Sequence, residues 1–435
     1  MDSFWQTTLP DFSKLKQNLN VDVLVIGGGL TGLLCAEHLQ RAGLSVAVAE
    51  ANKVAEGVSG RTTAKITSQH GVIYHKIERK YGLEAARQYY TAQQEALSEY
   101  CRLAECLDFE YEECDAYVYS LEDRLALSAE RSTLKRIGGE AEWAQVAPVD
   151  MPTAGALKIP RQAQMNPLLL MKALAQNVPV YERTRVRKIE ANKAVTDDGV
   201  TIMARAIIVA THFPFLNRHG AYFLKLYQHR SYVVALENAT VPSGMMWSDK
   251  QDGITLRQYG NYVLVGGGGH RTGKQGEGYK AAEAFAKKYF PNAKVKHRWA
   301  TQDCMSLDGI PYIGRYSPST PSVYVATGFG GWGMTSAMVS ALLLTAEIAG
   351  RPKEWASVFR PDRRIWHKQL AVNAAESTLG LLTPTVPRCP HLGCALKWNP
   401  QEHSWDCGCH GSRFAKDGTL LNGPSTGDLP RKKDR

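Results

Sequence analysis

What this sequence lacks sets its first limits. It has no apolar run that makes a convincing membrane span. The longest charge-free stretch, Ser317 to Ala346, holds two prolines and several glycines, and its first half is polar. The opening residues, MDSFWQTTLPDF, contain neither a basic segment nor an apolar core, so no secretory leader is expected. There is no basic stripe with interleaved aromatics. The net charge of +10 comes from residues spread along the chain, and the one cluster is the RKKDR tail. That distribution argues against a nucleic-acid surface. Cysteines outside the C-terminal region are few: Cys35, Cys101, Cys106, Cys114 and Cys304 stand alone. A secreted disulfide scaffold does not look like this, so the reducing cytoplasm is the expected compartment.

What is present is a chain of 435 residues with 44% hydrophobic content, enough for two or three globular domains. The stretch Val21 to Glu50, VDVLVIGGGLTGLLCAEHLQRAGLSVAVAE, organises it. An unbroken apolar run to Ile26 reads as a buried parallel strand. Gly27, Gly29 and Gly32 follow, then Leu30, Leu33 and Leu34 at helical spacing, then a second apolar run ending on Glu50. Gly27 permits a tight turn, Gly29 lets a pyrophosphate approach the backbone, and Gly32 lets helix and strand pack closely. The helix start faces the phosphates with free N–H groups, and Glu50 stands where a carboxylate accepts a ribose hydroxyl. Glycine spacing alone is common. The full order of strand, glycines, helix, second strand and acid predicts a Rossmann-like dinucleotide site.

Further along, Gly57 to Gly71 is a loop rich in Gly, Ser and Thr, whose Ser59, Arg61, Thr62 and Thr63 offer donors to phosphates or ring carbonyls. An ordinary polar surface loop is the alternative. Residues 74–106 and 121–137 read as helices, and a helix is expected over Met165 to Gln176 with Pro167 at its start. Residues 115–120, 180–189 and 199–210 read as strands, the last ending in Ile207 to Thr211 beside the nucleotide. From Leu226 to Gly267 the alternation predicts an antiparallel sheet with one polar face, roofing a substrate pocket. Arg257, Tyr259, His270 and Tyr232 are the polar side chains placed there, with a purely structural role as the alternative for each. Val323 to Thr327 reads as a strand. A second glycine-rich turn, Gly328 to Gly333, opens an apolar helix from Met334 to Ala349, bringing another positive helix end near the cofactor.

The C-terminal region reads CPHLGC, Cys389 to Cys394, and CGCHGSRF, Cys407 to Phe414. Cys389, His391, Cys407 and His410 supply two thiolates and two imidazoles. Two cysteines and two histidines also suit zinc, but zinc fingers pair their cysteines two to four residues apart, and these are not so paired. Two Cys on one iron and two His on the other is the Rieske [2Fe–2S] arrangement.

Together these motifs give a resemblance that covers most of the chain. Residues 3–350 resemble the FAD-dependent oxidoreductases of the D-amino-acid oxidase, glycine oxidase and sarcosine oxidase superfamily. Residues 389–430 resemble a Rieske cluster-binding module, and the whole resembles bacterial proteins that join the two. The implied fold is α/β: a Rossmann-like FAD-binding domain (about 21–75, 150–215 and 300–350), an antiparallel-sheet substrate domain (about 76–149 and 216–299), a linker over 351–380, and a small β Rieske module over 381–435. The resemblance implies that Gly27, Gly29, Thr31 and Gly32 surround the FAD pyrophosphate, Glu50 holds the ribose and Val186 lies by the adenine. Ser59, Gly60, Arg61, Thr62 and Thr63 would run under the flavin. Gly330, Gly331, Gly333, Met334 and Thr335 would meet the ring carbonyl end. Cys394 and Cys409 would form the loop disulfide beside the four iron ligands.

Departures from the pattern matter. Gly408 stands where proline is usual, and Phe414 where respiratory relatives carry a tyrosine that hydrogen-bonds a ligand sulfur; its loss implies a lower potential. Ser412 remains as a donor, and Gly423-Pro424-Ser425 matches the proline loop. Few strands precede Cys389, so the module looks trimmed and in need of support from the flavin body. Cys304 is not at the offset used for covalent flavin attachment, so FAD is expected to be non-covalent. The implied activity is oxidation of an amine or amino acid, Arg257, His270 and Tyr259 being the candidate catalytic, substrate-handling residues. Electrons would leave through the cluster to an unidentified acceptor at an exposed histidine edge, with membrane contact only through that acceptor. A peroxide-forming oxidase with a structural cluster, and a redox-sensing binding protein, are the alternatives.

Overall fold

The computed structural model describes residues 4–144, 149–217, 219–241, 244–364, 366–384 and 387–430. The RKKDR tail lies outside the described residues. The unbroken apolar runs build the first sheet. Leu19–Ile26 pairs in parallel with Val46–Ala49 on one side and Thr201–Val209 on the other, and Thr201–Val209 pairs in parallel with Val323–Thr327. Such strands need cover on both faces. The helices Leu30–Arg41, Gly333–Ile348 and Pro167–Asn177, packed on one another, cover one face, and Leu15, Val186 and Ala194 pack against the other. The expected strand over 180–189 is two short strands, and Val186–Glu190 turns back through Lys193–Thr196 in an antiparallel hairpin.

The alternating runs build a second, nine-stranded sheet that is antiparallel except where Met245–Ser248 runs parallel to Tyr111–Ser120. The polar face expected for it is largely covered: on Leu226–Glu237, Gln228 and Arg230, which alternate onto one face, are both buried. The C-terminal module sits over them. Local signals set the remaining boundaries. The helical region after the serine-threonine loop is broken by Gly82, at φ +90°, into Ile73–Tyr81 and Leu83–Cys106. The next helix starts at Leu125, later than expected, because Asp123 accepts the Leu125 N–H. Asn166 caps Pro167–Asn177, and Met165 instead ends a strand.

The stretch expected to be a linker is packed. Trp355 and Phe359 lie in the main core, and Arg363 pairs with Asp308 at 2.7 Å, their side chains 10% and 3% exposed. The helix Lys368–Leu382 then reaches the C-terminal module, where the Gly380 carbonyl accepts the Ala395 N–H. That module is one four-stranded antiparallel sheet, Leu396–Asn399, Ser404–Cys407, Arg413–Ala415 and Leu420–Asn422. Among the described residues no helix is long and apolar enough to cross a membrane.

Candidate flavin and cluster sites

One cavity of about 1120 Å³ runs from the first glycine turn, between the two large sheets, to the C-terminal module. Its glycines are there for shape. A Cβ on Gly32 would lie 1.9 Å from the Gly27 carbonyl oxygen, and one on Gly27, at φ +116°, 2.5 Å from that of Ala210. Helix and strands therefore close on each other behind the turn, while Gly27, Gly29 and Thr31 face the cavity. Ser59 accepts the Leu30 N–H at 3.0 Å and ties the serine-threonine loop to the helix start. Glu50 accepts the N–H groups of Gly28 and Asn52, both at 2.7 Å, and still faces the cavity. Burial raises its carboxyl pKa despite those bonds. Val186, Ser59, Thr62, Thr63, Gly330, Gly331, Gly333 and Met334 also line the cavity.

Other expected contacts fall elsewhere. Gly60 packs against the Ala55 carbonyl, and Arg61 lies in the field of Arg230, Arg413 and Glu402, away from the cavity wall. The Thr335 hydroxyl is spent on the Thr67 carbonyl. The three candidate substrate-handling residues are also displaced. Arg257 is buried, and one of its nitrogens donates to the Thr63, Ala64 and Met165 carbonyls. Tyr259 donates to Glu110 at 2.6 Å, and His270 meets Tyr232 at 2.8 Å. None of the three lines the cavity, although Tyr232 does. The reason is register: these side chains lie along the right strands but beyond the cavity's reach.

Residues without a sequence signal line the cavity instead. His70 stacks on Trp332 at 4.9 Å, and Trp332 meets Trp247 edge-on at 5.2 Å; all three line the cavity. Burial lowers His70 to about 3, so it is neutral. Lys65 also lines the cavity; it follows the Thr-rich loop by two residues, which is the one local hint of its role. Cys304 faces the cavity too, its thiol raised to about 12 by burial and in contact with Thr327.

The second centre lies at the other end. Cys389 and Cys407 are buried with their sulfurs in contact, and the rings of His391 and His410 are 5.0 Å apart. Burial lowers His391 to about 4 and His410 to about 3, which keeps both imidazoles in the neutral form that binds metal. Nδ1 of each ring is buried without a hydrogen-bond partner. The sulfurs of Cys394, Cys407 and Cys409 lie within 4.8 Å of one another, but Cys394 and Cys409 are joined in a disulfide and are unavailable as thiolates. The donor set left is two thiols and two imidazoles, which fits the Rieske centre. Ser412 bonds Cys389 and accepts the Ser425 N–H at 2.9 Å. Phe414 is fully buried beside the cysteines.

The histidine edge was expected to face outward, and it faces the flavin body. His391 Nε2 meets Asn217 at 2.8 Å, and the rings of Phe213 and Phe223 close over His410. Gln228 donates to the His410 and Gly423 carbonyls at 3.0 and 2.9 Å, while Gln302 donates to Gly411 at 2.8 Å. The trimmed module is thus held by the body. Buried Glu402 pairs with Arg230 of the second sheet and with Arg413 of the module at 3.0 Å.

Residues 22–347 match the FAD dependent oxidoreductase family, and residues 357–432 match the Rieske [2Fe-2S] domain. The chain belongs to the FAD dependent oxidoreductase family and carries a C-terminal Rieske domain; its cofactors are FAD and a [2Fe–2S] cluster. It is 32% identical to the Rieske 2Fe-2S iron-sulfur protein YhfW of Bacillus subtilis, over 98% of this chain and 96% of that protein. Its fold is similar to that of L-proline dehydrogenase from P. horikoshii (TM-score 0.68, 17% identity, 80% of this chain and 98% of that one). Glycine oxidase from Geobacillus kaustophilus is similar as well (TM-score 0.65, 19% identity, 80% and 100%).

The tyrosine-to-phenylalanine departure gives a prediction. Phe414→Tyr is expected to raise the cluster potential by roughly 40 mV, the equivalent of one hydrogen bond of about 1 kcal/mol for a one-electron couple. Potentiometric titration of the cluster signal checks it.

Proposed function

We propose that the enzyme oxidises the C–N bond of an amine or amino acid and passes the electrons singly to an external acceptor. FAD, when bound, takes the hydride, and the [2Fe–2S] cluster accepts and releases single electrons at potentials of roughly −150 to +300 mV. The residues provide the setting. Gly27, Gly29, Thr31 and Glu50 would hold the nucleotide, and Thr62, Thr63, Gly330, Gly331, Gly333 and Met334 the ring. Trp247, Trp332 and neutral His70 keep water from the reacting end. Cys389, Cys407, His391 and His410 would hold the irons.

The observation that carries this reading is Phe213. It lines the cavity, and its ring stands edge-on to both cluster imidazoles, 6.4 Å from His391 and 6.2 Å from His410. A single side chain thus links the two centres. The names of the similar folds, a dehydrogenase of proline and an oxidase of glycine, support C–N chemistry.

Anaerobic mixing of the holoenzyme with a panel of amines and amino acids tests it. The flavin band is expected to bleach and the cluster's electron-spin signal to rise within the same turnover. Peroxide formed as fast as substrate is consumed, with the cluster still oxidised, would overturn the proposal. The FAD is taken to be non-covalent, since the Cys304 thiol is protonated and engaged with Thr327. Acid precipitation is expected to release all the flavin into the supernatant.

A further inference from the structure

Among the described residues, Lys65 in the cavity wall has no carboxylate within ion-pair distance. Lys65 lies on the short strand Lys65–Ile66, partly open to the cavity and otherwise enclosed. Its ammonium meets only hydroxyls, Thr63 at 3.0 Å and Thr255 at 3.4 Å. Among the described residues no carboxylate pairs with it. Behind it stands Arg257, whose hydrogen bonds go to main-chain carbonyls, whose Nε and Nη2 have no hydrogen-bond partner, and whose guanidinium lies over the Trp5 and Tyr259 rings rather than beside a carboxylate. Burial, with Arg257 adding to it, lowers Lys65 to about 7. Two enclosed cations side by side favour an anion from outside, because an unpaired charge removed from water is costly.

The walls around Lys65 narrow the kind of anion. Thr255 pairs across the sheet with Trp247, so the two side chains share a face. Trp247 meets Trp332, which belongs to the second glycine turn, and Trp332 stacks on neutral His70. One cation, two hydroxyls and an aromatic wall stand together. A carboxylate satisfies the cation and hydroxyls, and an apolar group fills the space against the rings.

We infer that Lys65 anchors the carboxylate of an amino-acid substrate whose apolar side chain or N-substituent lies against Trp247 and Trp332. The inference rests on the proposed C–N oxidation and names its substrate class. It also moves carboxylate recognition from Arg257, which is committed to the backbone, to a residue on the cavity wall.

The test uses the FAD- and cluster-loaded protein with benzoate, a carboxylate carrying an apolar ring, followed by the flavin absorption band. The wild type is expected to bind it. Lys65→Met is expected to weaken binding at least about 30-fold, the ratio that about 2 kcal/mol gives, with flavin content and cluster spectrum unchanged. Lys65→Arg is expected to stay within a few-fold of the wild type, and benzylamine, which lacks the carboxylate, to be insensitive to Lys65→Met. With an amino-acid substrate, KM is expected to rise more than kcat falls. Unchanged benzoate affinity in Lys65→Met overturns the inference. So does loss of FAD from that variant, which assigns the cation to the flavin ring. If Lys65→Met does not fold, Trp332→Leu decides: about tenfold weaker benzoate binding supports the site, and unchanged binding overturns it. Because benzoate binding needs no turnover, it is read separately from the electron route. A Lys65 site that binds benzoate in an enzyme that reduces no cluster leaves the inference standing and defeats the proposed function.

Discussion

Glu402→Leu is expected to release the cluster module from the flavin body and to strip the iron. Glu402 is 4% exposed and lies between Arg230 at 2% and Arg413 at 7%. Arg413 also donates to Asp406 at 3.0 Å and to Ser404 at 2.8 Å, and Tyr232 and Asn399 donate to the Glu402 carboxylate. Two buried guanidiniums are thus balanced by two buried acids. Removing Glu402 leaves Arg230 facing a leucine, and breaking such a pair costs about 3–5 kcal/mol. That is a large share of what holds a four-stranded sheet of this size. Iron and acid-labile sulfide per chain should fall below half, while flavin content stays near the wild type. The double variant Arg230→Met with Glu402→Leu removes both charges and should recover much of the iron, since well-packed apolar replacement of a buried pair is close to neutral. Failure of the double variant to recover would show that the contact works through geometry alone.

Gly32→Val is expected to abolish FAD binding. The new Cβ would enter within 1.9 Å of the Gly27 carbonyl oxygen and 3.3 Å of Val25, with backbone on the near side. Neither neighbour can rotate away, so the helix Leu30–Arg41 must move off the strand Leu19–Ile26. Overpacking of this kind costs about 3 kcal/mol or more. The displacement also shifts the N–H groups that face the phosphates, which is where binding is lost. Gly43→Ala is the control. Gly43 has φ +84° and nothing within 4 Å of its Cβ position, so only backbone strain of roughly 1 kcal/mol applies. Flavin per chain, with the thermal midpoint, should fall sharply for Gly32→Val and little for Gly43→Ala.

The parts of this protein that were legible in its sequence share one property: their signals are local. The glycine turn from Gly27 to Gly32 and the acid at Glu50 lie within one strand–helix–strand unit, and the structure has that unit. Cys389, His391, Cys407 and His410 announce themselves by type and short spacing, and the fold brings them together. The substrate side was not legible in the same way. Arg257, Tyr259 and His270 sit on strands whose existence was clear, but the cavity they were assigned to depends on which strand each one neighbours. Met245–Ser248 pairs in parallel with a strand far away in sequence, and that pairing puts Trp247 in the wall while Arg257 turns to the backbone of the serine-threonine loop. The segment after Arg351 read as a linker because its composition is irregular. Its packing rests on single long-range contacts, Arg363 with Asp308 and Gly380 beside the disulfide, and these leave no periodic trace.

The sequence by itself determined the two cofactors, because each is held by a short motif whose chemistry follows from residue type and spacing. Only the tertiary structure decided how the two centres face each other. Phe213, Asn217 and Gln228 close over the histidine edge. None belongs to a motif, and each acquires its role from side-chain packing between elements some two hundred residues apart.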